Sequence, residues 1–198
     1  MTRAGPGGQP GPRSDGAAAR AHLRYLSAYP SDLQAQVLRL IDDSGLGAHL
    51  RARYPLTHDV RSDRALYQYV DRLKREHLRG AERVDKVLFD SKIHLVQQAL
   101  GLHTARARVQ GGRLKASREI RIASLFRLAP PEFLRMIAVH ELAHLRVREH
   151  DKAFYQLCVH MEPRYHQLEF DVRLYLTHLE LGGERIWSDE RSDLISLM

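Results

Sequence analysis

His140, Glu141 and His144 form an H-E-x-x-H sequence inside the stretch Pro131 to His150, PEFLRMIAVHELAHLRVREH. Residues four apart on an α-helix lie about 40° apart around its axis, so both imidazoles would project from one face with Glu141 beside them. Two neutral His nitrogens and a third protein ligand can hold Zn²⁺ while a fourth position stays open for water. The metal acidifies that water and Glu141 takes its proton, which is the chemistry of hydrolysis. Pro130 and Pro131, Glu132 in the first turn, and then Phe133, Leu134, Met136, Ile137 and Val139 predict a largely buried helix around the motif. Three unpaired polar groups in the middle of such a helix would be expensive, which favours a shared role for them.

Two residues compete as the third ligand. His150 stands six positions after His144, and an uninterrupted helix would turn it about 120° away. It can ligate only if the helix ends or bends first. Arg146, Arg148 and Glu149 make the segment polar, and Asp151 is a good N-cap for a new helix, DKAFYQLCVHM, so a break near Glu149–His150 is expected. The alternative is Glu169, on the helix after Pro163. His150 is preferred, because zinc favours imidazole.

The stretch HELAHLRVREHDKAFYQLCVHMEP resembles the signature of the YgjP-like metallopeptidase domain, a family of small relatives of the zincins. The matching positions are His140, Glu141, Leu142, His144, Leu145, His150, Asp151, Phe154 and Tyr155, within a resemblance covering about Ile120 to Leu176. The resemblance implies His140, His144 and His150 as zinc ligands and Glu141 as the general base. It also implies an α+β, minimal zincin-like fold with a small, mainly antiparallel sheet beside the metal-binding helix.

The elements that must position these residues can be read in chain order. Residues 1–16 are rich in Gly and Pro and are expected to form a disordered tail. A helical N-terminal region is expected over 17–100. One helix should begin with Ser31 as N-cap, one should run from Ser62 to about Leu78, and one from about Val84 to Leu100. After Gly101 the period changes to two. Thr104–Gln110 and Arg113–Ser117 flank Gly111-Gly112 as a hairpin, and Glu119–Ser124 reads as a further strand. The metal-binding domain is placed over 101–185, with a C-terminal tail from 186 to 198. Tyr155, His160, Tyr165 and His166 lie close enough in sequence to be candidates for stabilising an oxyanion. His77 and His94 are expected to pack or face water.

A chain of 198 residues with 43% hydrophobic content has the balance of an ordinary soluble protein. Its single cysteine, Cys158, excludes an internal disulfide framework and is expected to pack in the core. No apolar leader and no long apolar run are visible, so a cytoplasmic location without membrane attachment is expected. The net charge of +7 is concentrated between Arg106 and Arg127, where Arg106, Arg108, Arg113, Lys115, Arg118, Arg121 and Arg127 face Glu119 alone. If that sheet borders the cleft, the substrate meets a positive surface. The expected function is a zinc-dependent metallohydrolase, foremost a peptidase acting on a peptide or protein substrate, with the basic segment suited to an acidic or nucleic-acid-bound one. The first alternative keeps the metal site and hydrolyses nucleoside triphosphates to release pyrophosphate, an activity assigned to some members of the family it resembles. The second is a nucleic-acid-associated protein with a structural or vestigial metal site.

Overall fold

The computed structural model describes residues 23–43, 45–93 and 118–188. It is an α+β arrangement with, among the described residues, six helices and a two-stranded sheet. The N-terminal helical extension comprises a 3-10 turn at Arg24–Leu26, α1 at Ser31–Asp42, α2 at Leu46–Arg53 and α3 at Asp63–His77. Ser31 is the first helical residue of α1 and Pro30 takes the cap position without a side-chain bond, so the expected Ser31 cap is displaced by one. Ser62 does cap α3, accepting from the Ala65 N–H at 3.2 Å. Leu66, Val70 and Leu73 then line the buried face of that helix.

The sheet departs from the sequence reading in two ways. Lys86–Asp90 is a strand, β1, where a helix from Val84 was expected. Val84, Val87, Leu88 and Ile93 fit a helical stripe, but Val87 and Phe89 also alternate inward, and pairing with a distant segment selects the extended form. The partner is β2, Glu119–Ala123, which lies where a strand was expected, with Ile120 and Ile122 buried and Arg121 exposed. The pair runs parallel, Val87 opposite Ile120 and Phe89 opposite Ile122. An antiparallel sheet was expected from the Gly111-Gly112 hairpin. Its two strands, and His94, fall outside the described residues.

A 3-10 turn at Ser124–Leu128 leads into α4, Pro131–Ala143, with Pro131 in the first turn where its missing N–H costs nothing. Two further helices follow, α5 at Lys152–Met161 and α6 at Tyr165–Glu180. Phe133 of α4 sits within 4.8 Å of the Tyr54 ring, 5.4 Å of Trp187 and 6.3 Å of Tyr175, centre to centre. Trp187 also donates to the Tyr54 carbonyl at 2.8 Å. Ile186 and Trp187, at the start of the segment read as a tail, are thus buried. The side chains inside α4 and those of the N-terminal helices belong to one cluster. Cys158 is fully buried within it, as expected. Among the described residues no helix is long and apolar enough to cross a membrane.

Candidate metal centre

The helix α4 ends one residue before His144, which occupies the cap position. The chain leaves the helix there, about a turn earlier than the sequence suggested, and Leu145–Glu149 carries it round. Asp151 then caps α5, its side chain accepting from the Phe154 N–H at 3.0 Å. This stop and restart brings His150 back against the α4 pair. The Nε2 atoms of His144 and His150 lie 3.3 Å and 3.2 Å from that of His140. A ligand nitrogen from each of the three falls within 4.8 Å of the others.

The donor chemistry of this cluster fits a metal ion. Two ligands of a tetrahedral ion bound at about 2.0–2.1 Å lie roughly 3.3–3.4 Å apart, close to the separations found here. The far side of two rings is also arranged for it. His144 Nδ1 is 2.9 Å from the Val147 carbonyl oxygen, which can only accept, so the ring proton sits on Nδ1 and Nε2 presents its lone pair to the cluster. His140 Nδ1 is 2.7 Å from the Tyr165 hydroxyl, which can accept its proton in the same way. Burial lowers the pKa of His150, favouring the neutral ring that ligation needs. Phe154 packs 4.4–5.0 Å from all three imidazole centres and walls the cluster on one side.

Glu141 projects from α4 beside His140 and His144 and is half-buried. Desolvation pushes its carboxyl up to about 7. A cation held by the neighbouring imidazoles would draw that value down again. Glu169, the rival third ligand, is buried on α6 and bonds Arg173 Nη2 at 2.8 Å. It is absent from the converging set of donors.

Sequence reasoning named Tyr165 only as a possible oxyanion donor. The structure buries it completely, with its hydroxyl on His140, so it orients that ring instead of reaching outward. The Val147 carbonyl was missed, since a backbone acceptor leaves no mark in residue type. His160 is exposed and its ring lies 6.0 Å from His77, away from the cluster. Tyr155 and His166 do adjoin the site, with Tyr155 6.5 Å from the His150 ring and His166 5.5 Å beyond.

The basic surface is less open than the count of cations implies. Arg121 bonds Asp90 at 2.7 Å and Glu119 at 2.8 Å, Arg118 pairs with Glu82, and Arg127 lies 5.0 Å over the Phe89 ring. Arg106, Arg108, Arg113 and Lys115 fall outside the described residues.

A family model described as "YgjP-like, metallopeptidase domain" matches residues 56–172. A protein of Escherichia coli (strain K12) named "UTP pyrophosphatase" is 59% identical over 166 residues, covering 84% of this chain and 99% of that protein. No solved structure matches the chain significantly.

Proposed function

Because the chain belongs to the YgjP-like metallopeptidase domain family, we propose that it is a zinc-dependent hydrolase that cleaves a nucleoside triphosphate, UTP first among them, into the monophosphate and pyrophosphate. The observation that carries this reading is the three-histidine cluster with Glu141 beside it, in a chain 59% identical to a protein named for that substrate. Peptide-bond hydrolysis, the leading expectation from sequence, is the second reading, and the family's description favours it.

His140, His144 and His150 would hold the ion, and zinc suits a set made of three imidazoles. Bound there, it supplies Lewis-acid polarisation of a phosphate oxygen and makes a nearby water acidic. The Glu141 carboxylate takes the proton of that water as its oxygen bonds to the α-phosphorus. The bond between the α-phosphorus and the bridging oxygen breaks, and pyrophosphate leaves with that oxygen and its electron pair. Glu141 then returns a proton to the solvent or to the leaving group. Tyr165 and the Val147 carbonyl keep the ligand rings turned inward throughout.

The experiment is a screen of the zinc-loaded protein against UTP, other nucleoside triphosphates and an unstructured protein, with products read by phosphorus NMR and mass spectrometry. UMP and pyrophosphate in equal amounts are expected. Cleavage of the unstructured protein with UTP untouched would overturn the nucleotide reading in favour of the peptidase. On the active substrate, Glu141→Gln should keep its zinc and lose roughly 10²–10⁴-fold in rate. A variant as fast as wild type would remove Glu141 from the mechanism.

A further inference from the structure

Two rings stand at the edge of the histidine cluster, outside its three converging donors. Tyr155 lies on α5, half-buried, its ring 6.5 Å from that of His150. His166, the second residue of α6, is exposed and leans against Tyr155 at 5.5 Å with 36° between the ring planes. Behind both stands Tyr165, 6.3 Å from Tyr155 and 5.8 Å from His166, with its hydroxyl on His140. A line of rings thus runs from the buried imidazoles outward to solvent. Tyr155 packs its inner side against the core and His166 stands exposed beyond it, so the pair keeps ring surface accessible at the rim of the cluster.

We propose that Tyr155 and His166 form the ledge on which the base of a nucleoside triphosphate stacks while its phosphates reach the His140, His144 and His150 cluster. The assignment rests on the nucleotide reading above. Every nucleobase has a π face, and proteins grip unpaired bases by stacking them on Tyr, His and other flat side chains. Tyr155 lies one ring-to-ring step, 6.5 Å, from His150, so a base stacked on it lies beside the cluster that would take the phosphates. Tyr165 fixes the distance, because the residue that meets His140 is the immediate chain neighbour of His166. The imidazole of His166 also offers a donor and an acceptor at the edge of the stacked base.

The test uses the zinc-loaded full chain and three variants, Tyr155→Leu, His166→Ala and Tyr155→Phe, each first shown to keep wild-type zinc content and melting temperature. For Tyr155→Leu and His166→Ala, KM for UTP should rise roughly 5- to 150-fold. Inhibition by inorganic tripolyphosphate, which has no base to stack, should not change. Tyr155→Phe retains the ring and should behave as wild type. An equal weakening of UTP and tripolyphosphate, or an unmoved KM, overturns the ledge.

A second arm separates this from the proposed reaction. Uridine 5′-monophosphate is titrated into wild-type protein while the His166 ring protons are followed by NMR. A ring-current shift at His166 that disappears in Tyr155→Leu supports the ledge even if no triphosphate is hydrolysed. A signal that stays still with the nucleotide, or one that moves only with an aromatic peptide, removes the nucleobase assignment whatever the hydrolysis screen shows.

Discussion

At His144 the Val147 carbonyl decides the tautomer, and at His140 the Tyr165 hydroxyl takes the same position on the far nitrogen. An imidazole offers one lone pair when neutral, so fixing the proton outside the cluster is what turns neighbouring rings into ligands. Partners of this kind are worth about 10- to 100-fold in metal affinity. Tyr165→Phe should therefore weaken zinc binding by roughly that factor, read by competition with a chelator, while the ring still fills its place in the core. An unchanged affinity would leave the tyrosine a packing residue alone. The third ligand can be tested at the same scale. His150→Ala is expected to lose zinc, whereas Glu169→Ala should keep it, because Glu169 is occupied by Arg173. Glu169→Ala is expected instead to lower stability, since it takes the carboxylate from a half-buried guanidinium and leaves it the Tyr25 carbonyl alone. Zinc lost in Glu169→Ala and kept in His150→Ala would refute the three-histidine site.

Among the elements, the turn between α4 and α5 does the positioning, because six residues of continuous helix would carry His150 out of reach. The Asp151 cap restarts the chain at the right place. On the other side of α4, His58 fixes the entry to the helix. It is buried, its Nε2 lies 2.8 Å from the Phe126 carbonyl, its Nδ1 accepts from the Val60 N–H at 3.1 Å, and its own N–H reaches the Ala129 carbonyl. Only the neutral ring can both donate and accept in this way, and burial lowers its pKa from 6.5. Below about 6.5 the unfolded chain binds a proton that the folded chain resists, so this contribution is whole above that pH and is lost as pH falls. Urea denaturation should show stability dropping between pH 7 and 5, with a shallower slope in His58→Gln. Parallel slopes would exclude His58 as the source.

For the whole molecule, the N-terminal helices, α4 and the residues just after α6 share one core. Trp187 is the only tryptophan and closes that core against Tyr54, Phe133 and Tyr175. Its fluorescence should therefore follow a single cooperative transition, coincident with the loss of helix by circular dichroism. Trp187→Ala should cost about 3–5 kcal/mol, because a large buried ring leaves a cavity and the Tyr54 carbonyl loses its donor. Two separated transitions would mean that the helical extension and the metal-binding part fold independently.

Sequence alone determined what lies within a few residues along the chain. The H-E-x-x-H spacing, the apolar run that buries its helix and the Asp151 cap all depend on local geometry and local hydrogen bonds, whereas between His150 and Glu169 residue order supplied only a preference. Tertiary structure decided the rest. The segment Lys86–Asp90 carries an apolar pattern that suits helix or strand, and the choice fell to Glu119–Ala123, more than thirty residues away. Tyr165 became a support for His140 because α6 packs back on α4, a contact across 25 residues that residue type does not announce. Arg121 reads as an open cation until Asp90 and Glu119 close on it. Short apolar runs and lone polar residues have several low-energy uses, and only the packing of distant segments selects among them.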